Sequence, residues 1–255
     1  MSKKVVYKDS DWWEYQLRVV KAAGEECHCL EEVGFLICEL EIAPGQRILD
    51  LGCGSGRHIR LLADRCWDCY FTGLDISPLL IEHSKSLTAG SNNETYAEGN
   101  MLHVGSYTEK YNAVLMLGAT FGLLSHENNE QVLWNVHRAL KPGGKLVLQQ
   151  HDPGHYICKV GTGKLYRAVM PEGTYTVRAG YSSILRQGIG VFQLETTDTI
   201  YKRQYPETFM LYTLKEIKKM LIAVGLTPLT AYGNIYLEAY EPGASTEMII
   251  VAQKE

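Results

Sequence analysis

The apolar and polar positions along this chain of 255 residues change period several times. Near the start, Ser10 is placed to cap a helix through about Ala23 with Trp13, Leu17 and Val20 on one face, and a second helix follows to about Leu40. Ile48 to Leu51 form a short apolar run that suits a buried strand. His58, Ile59, Leu61 and Leu62 then open a helical spacing that lasts to about Arg65. Residues 70–75 predict another strand, and Ser77 to about Leu87 a helix opened by Ser77 and Pro78. Short strands follow at 95–98 and 111–117. A helix from about Glu127 to Leu140 sets Val132, Val136 and Leu140 on one face and is stopped by Lys141-Pro142-Gly143-Gly144 before the strand 145–150. Strands alternating with helices imply a doubly wound α/β architecture, a parallel sheet covered on both faces.

The pattern changes after Pro153. From about Lys164 to Tyr212 the chain is rich in Tyr, Thr, Val and Ile, with turn punctuation at PEGT and RQGIG, and predicts two to four antiparallel strands. Helical order returns at Thr213, whose spacing to Glu216 is that of a capping box. Leu214, Ile217, Leu221 and Val224 line one face, and Gly225 fits the C-cap. The apolar run 247–253 reads as a last strand. No repeat or low-complexity linker divides the chain, so residues 1–255 are expected to form a single domain.

The composition, 45% hydrophobic and 21% charged, is that of an ordinary globular protein. A net charge of −4 without a dense basic run argues against a nucleic-acid or anionic-membrane partner. No N-terminal apolar leader region and no run of about 18 apolar residues stands in the sequence, which points to the cytoplasm. Seven cysteines form an odd count and suit free thiols in a reducing compartment. Cys27 and Cys29, and Cys66 and Cys69, raise the question of zinc. A helix over residues 27–42 would be about 24 Å long, setting the two pairs toward opposite sheet edges, so no metal is expected.

Gly52, Gly54 and Gly56 stand between the first strand and its helix, where a missing Cβ lets a ligand approach the backbone. A dinucleotide loop of the form G-x-G-x-x-G would carry its third glycine where Arg57 stands, and no Gly-Lys-Ser/Thr follows as in a phosphate-binding P-loop. The glycines serve a ligand other than a pyrophosphate.

At LDLGCGSG, GLDIS, EGNM, YNAVLMLGATFGLL and LKPGG, in this order, the sequence resembles class I S-adenosylmethionine-dependent methyltransferases. The resemblance implies a Rossmann-like, mainly parallel seven-stranded sheet with S-adenosylmethionine as cofactor. In that reading Asp50 orients the glycine loop and helps to hold the cofactor's ammonium, while Gly52, Gly54 and Gly56 let the backbone lie against its tail and sugar. Asp75 accepts the ribose hydroxyls, with a helix cap as its alternative role. Ile76 and Met101 sandwich the adenine, Asn100 accepts from the adenine amine where many relatives carry Asp, and Leu117 offers its carbonyl near the ammonium. The Tyr/Thr-rich insertion before the last helix is similar in architecture to that of small-molecule N-methyltransferases acting on glycine-type amines or amino sugars. The resemblance divides the domain into a helical lid at 1–43, with Trp12 and Trp13, a cofactor-binding core at 44–158, an antiparallel substrate cover with a homodimer contact at 159–212, and closing helix and strands at 213–255.

The expected reaction is in-line methyl transfer to a small-molecule acceptor, nitrogen rather than oxygen. The alternative is a protein that binds S-adenosylmethionine without catalysis. An ammonium or hydroxyl acceptor needs a base, and His151, leaving the fifth strand beside Asp152, is the candidate. A histidine satisfied by the following turn is its alternative. His126 is expected at the surface of a first helical turn. Arg178, Tyr201, Arg203 and Tyr236 are secondary candidates for dressing the pocket, a solvated strand face being the simpler reading of each. Cys53 reads as a small packed side chain.

Overall fold

The computed structural model describes residues 13–14, 16–18, 29–88, 90–161, 163–170, 173–196 and 200–255. Of the expected first helix, residues 13–14 and 16–18 are helical; Ser10, Trp12 and Cys27 lie outside the described residues. The described chain runs α1 (Cys29–Leu40), β1 (Arg47–Leu51), α2 (Arg57–Arg65), β2 (Tyr70–Asp75), α3 (Pro78–Leu87), β3 (Glu94–Glu98), a 3-10 helix (Met101–Ser106), β4 (Tyr111–Met116), α4 (His126–Ala139) and β5 (Leu140–His151). It continues with α5 (Pro153–Val160), β6 (Lys164–Met170), β7 (Gly173–Ser182), β8 (Gln187–Thr196), β9 (Ile200–Met210), α6 (Leu214–Ala223), β10 (Leu226–Tyr232) and β11 (Glu247–Lys254).

Seven strands form one sheet in the order β10-β11-β5-β4-β1-β2-β3. Only β11 runs against its neighbours, pairing antiparallel with both β5 and β10. From β1 the chain steps outward to β2 and β3, then returns to β4 on the other side of β1. The resulting switch point opens a crevice beyond the carboxyl ends of β1 and β4.

Alternation along the strands sends side chains into two cores. Leu49, Leu51, Val114, Leu146 and Ile250 pack on one face with Val132, Val136, Ile217 and Leu221 of α4 and α6. Ile48, Ala113, Leu115, Val147 and Val251 face the other way, against Val33, Leu36, Ile59 and Leu62 of α1 and α2. Buried on both faces, the central strands read as continuous apolar runs.

Several caps follow the sequence. Ser77 accepts from Leu80 N–H with Pro78 at the first turn of α3, and Thr213 and Glu216 close a capping box on α6. The insertion is a separate four-stranded antiparallel sheet in the order β6-β7-β8-β9. The 3-10 helix, β10 and α5 were not anticipated from the hydrophobic pattern. Asp152 accepts from His155 N–H at 2.6 Å and, with Pro153, opens α5, whose only buried side chain in the helix is Val160. So short and exposed a helix leaves no apolar stripe to read. Among the described residues, no helix is long and apolar enough to cross a membrane.

Candidate active site

The loop after β1 is held from two sides. Gly52 N–H and Cys53 N–H both donate to the Leu74 carbonyl at the end of β2, at 2.7 and 3.1 Å. Gly54 N–H donates to Asp75 Oδ2 at 2.9 Å, and Asp75 Oδ1 accepts from Ser77 N–H at 2.9 Å. Asp75 therefore ties the glycine loop to the start of α3, with the Ile76 N–H bearing on its carboxylate as well. Burial raises its carboxyl pKa, against the pull of these backbone donors.

Gly54 and Gly56 have opposite surroundings. Both have positive φ, but a Cβ on Gly54 would meet nothing within 4 Å, whereas one on Gly56 would fall 2.4 Å from the Tyr96 ring. Gly54 thus faces the open crevice, and Gly56 lets the loop close on β3. Tyr96 is fixed there by its hydroxyl, which donates to Glu94 at 2.6 Å.

Asp50 lies beneath the loop, 2% exposed. No hydrogen bond or ion pair reaches its carboxylate among the described residues. Burial pushes its pKa up to about 6, with His58 nearby pulling it down and Asp75 adding to the rise. A buried carboxylate without a partner is costly, and a cationic ligand group would relieve it. An open glycine loop, this carboxylate and the Asp75 carboxylate at the next strand end suit a cofactor with an ammonium and a diol. The structure fits S-adenosylmethionine on those grounds.

The other expected contacts lie around the same crevice, half-buried. Asn100 caps the 3-10 helix, its Oδ1 accepting from Leu102 N–H at 2.9 Å. The Leu117 carbonyl already receives Thr120 N–H at 3.2 Å and Thr120 Oγ1–H at 2.7 Å, so an ammonium there would compete with the Thr120 hydroxyl. Ile76 follows Asp75 and Met101 follows Asn100, so the strand ends bring both to the crevice. Cys53 is buried and its thiol pKa is driven well up by desolvation, which suits a packed side chain.

Residues without a motif complete the floor. His58 Nε2 and Glu32 meet at 2.7 Å, joining α1 to α2. Burial works against the Glu32 carboxylate, yet the His58 contact prevails and holds its pKa low. Gln149 accepts from Gly118 N–H at 2.9 Å and donates to Glu247 at 2.7 Å. Cys29, Glu32 and His58 bring their donor atoms within 4.8 Å of one another, a spacing a metal could use. Glu32 and His58 already satisfy one another, and the Arg57 charge bears on both Glu32 and Cys29. Sequence reasoning missed this set because His58 lies 26 residues beyond Glu32, on another helix, with no shared spacing.

At the end of β5, His151 lies against two rings, stacked on Tyr156 at 5.5 Å and tilted to Phe209 at 5.9 Å. The residue is exposed overall, yet the atoms around its ring desolvate it. Together with the Lys159 and His155 charges, that burial lowers its pKa. Asp152 does not join it. Its oxygens hold His155 N–H, Gly243 N–H and the Tyr240 hydroxyl, a structural tie. His126 opens α4, half-exposed, with Tyr212 at 3.2 Å. Arg178 is exposed, and Tyr236 is 66% exposed with its hydroxyl on Glu31. The side chains of Tyr201 and Arg203 lie outside the described residues.

Comparison with known proteins agrees with the fold. Residues 48–144 match the family described as a methyltransferase domain. The chain is 29% identical over 128 residues to demethylmenaquinone methyltransferase of Lactobacillus johnsonii, covering 48% of this chain and 51% of that protein. Among solved structures it resembles the CcbJ methyltransferase of Streptomyces caelestis, with TM-score 0.76, 17% identity and 89% of each chain covered. It also resembles CalS10, an amino pentose methyltransferase from Micromonospora echinaspora, with TM-score 0.72, 17% identity, and 94% of this chain and 97% of that one covered. The chain spans about half the length of the curated relatives it matches. Residues 48–144 thus match a methyltransferase domain, and the likeness to the solved methyltransferase structures is one of fold.

Proposed function

We propose that this chain transfers a methyl group from S-adenosylmethionine to a small-molecule acceptor, at nitrogen rather than oxygen. The observation that carries the reading is the buried, unpartnered Asp50 beneath an open glycine loop, one strand away from Asp75. Asp50 takes the cofactor's ammonium, Gly54 admits its tail and sugar within a turn that Gly52 and Gly56 let close on Thr120 and Tyr96, and Asp75 accepts the ribose hydroxyls. Ile76, Asn100, Met101 and Leu117 border the adenine and tail as the sequence resemblance implies. When bound, the cofactor supplies an electrophilic methyl on a sulfonium, which leaves as a neutral thioether.

The rest is alignment and one proton. His151, kept neutral by its surroundings, accepts the proton of an ammonium acceptor, so that the freed nitrogen lone pair forms the new bond to carbon. The sulfur–carbon bond breaks toward sulfur, and the proton passes from His151 to water. Holding both reactants in line supplies about 7–11 kcal/mol of such a barrier. In this reading the insertion of residues 159–212 covers the acceptor. It also meets a second copy of the chain through its outer strand β6, where Leu165 and Val169 stand exposed.

The test pairs calorimetry against S-adenosylmethionine and NAD with methyl transfer from labelled cofactor to a pool of amines and alcohols. Binding of the first ligand and labelled amines are expected. Binding without transfer to any pool member would favour a protein that only holds the cofactor, and binding of NAD alone would end the reading.

A further inference from the structure

Resting on the proposed methyl transfer, we propose that Glu207 and the aromatic rings around it form the acceptor subsite and select a small cationic amine over a neutral alcohol or a carboxylate. In β9, Glu207 pairs with Gly190 and Phe209 with Gly188, so both side chains project from one face of the insertion sheet. That face is turned toward His151, since the Phe209 ring lies 5.9 Å from the imidazole and 5.4 Å from the Tyr156 ring. The two glycines opposite are roofed by aromatic rings. A Cβ on Gly188 would fall 2.4 Å from the Phe209 ring and one on Gly190 2.8 Å from the Phe192 ring. Glu207 therefore stands among rings.

Among the described residues, no cation answers its charge. No hydrogen bond or ion pair reaches Glu207 among the described residues, and burial raises its pKa to about 7. The hydroxyls of Tyr156 and Tyr175, raised first by their own burial, also feel the Glu207 charge. Lys164 shares the rung of Glu207 but at the far edge of the sheet, three strand spacings or about 14 Å away, with its ammonium over the Tyr166 ring. An ammonium beside Glu207 would gain an ion pair and the faces of the neighbouring rings. A carboxylate would bring a like charge into a desolvated place, and an alcohol would gain neither term.

Three probes of one shape decide it: cyclohexylammonium, cyclohexanol and cyclohexanecarboxylate, titrated into protein loaded with S-adenosylhomocysteine while the tyrosine ring NMR signals are followed. Cyclohexylammonium should bind at least about tenfold more tightly than the alcohol. Glu207→Gln should erase most of that preference, and Tyr156→Leu should weaken the ammonium more than the alcohol. Equal affinity for the probes, no binding of any, or a preference that survives Glu207→Gln overturns the subsite. If Glu207→Gln does not fold, the wild-type comparison together with Tyr156→Leu still decides. Calorimetry with S-adenosylmethionine on the same sample separates the two readings. Failure to bind it overturns both, whereas binding without an amine preference overturns only this one.

Discussion

At the scale of single residues, the site is built from groups held in states that water would not favour. Asp50 is the clearest case. Its carboxyl titrates near 6 in the folded chain against an ordinary 3.8, so the folded state holds the proton more tightly than the unfolded one. The stability linked to that proton is fully present below pH 3.8 and is lost as pH rises through about 6, amounting to about 3 kcal/mol. Asp50→Asn should therefore raise the melting temperature of the cofactor-free protein at pH 8, raise it only about half as much at pH 5, and weaken S-adenosylmethionine binding at both. Thermal melts at the two pH values with parallel calorimetry check this, and an equal gain at both would show that Asp50 is not the titrating group. Asn100 makes a second case, because one oxygen caps the 3-10 helix and is proposed to meet the adenine. Asn100→Asp keeps that oxygen and should bind the cofactor as well as the native chain or better, while Asn100→Leu should lose roughly 1–3 kcal/mol of binding. Equal affinity of all three forms in a titration would place the adenine elsewhere.

At the scale of elements, the glycine loop separates folding from binding within three positions. Gly54 and Gly56 both sit at positive φ, but only Gly56 is crowded, by Tyr96. Gly54→Ala should cost about 1 kcal/mol of stability and yet lose binding by more than tenfold, since the new methyl enters the crevice. Gly56→Ala should cost roughly 2–4 kcal/mol, because the left-handed backbone and the ring conflict add. Urea unfolding and calorimetry on both variants test the contrast, and a reversed order of stability loss would mean that the loop faces the other way. The elements legible in the sequence were those with local signatures. The buried strands, the Ser77 and Thr213 caps and the Gly52–Gly56 turn all follow from residues within one or two turns of each other. Those that escaped were joined through space. The Glu32–His58 pair spans 26 residues, α5 has a cap but no apolar stripe, and Glu207 becomes notable only because β9 folds its face toward His151. Asp152 was legible as a neighbour of the candidate base but not as the anchor of Tyr240 and Gly243, a contact 88 to 91 residues away.

At the scale of the whole molecule, the proposed reading divides the work between two sheets: the seven-stranded sheet and its glycine loop would hold the cofactor, and the four-stranded insertion would face the acceptor. The division is testable because the insertion is a separate sheet that leaves and rejoins the core at defined points. It departs after α5 and returns where Met210 N–H donates to the Gly122 carbonyl at 2.8 Å and Tyr212 is buried against Asn129, with its own carbonyl accepting from Gln150. Those anchors must be kept. Lys164 and Glu207 lie on one rung of the insertion across three strand spacings, so residues 164–208 can be replaced by a flexible loop of about eight Gly and Ser residues, whose average reach of about 15 Å matches the gap. The shortened chain exposes the Tyr156 and Phe209 rings that the insertion now shields, and its circular dichroism and unfolding cooperativity must first show a folded core. It should then bind S-adenosylmethionine within about tenfold of the full chain, or about 1.4 kcal/mol, because neither Asp50, Asp75 nor the glycine loop draws a hydrogen bond from the removed strands among the described residues. Methyl transfer should be lost with Glu207 and the aromatic wall. A folded shortened chain that still methylates an amine at the full rate would place the acceptor on the core alone, and one that has lost cofactor binding would show that the two sheets form a single site.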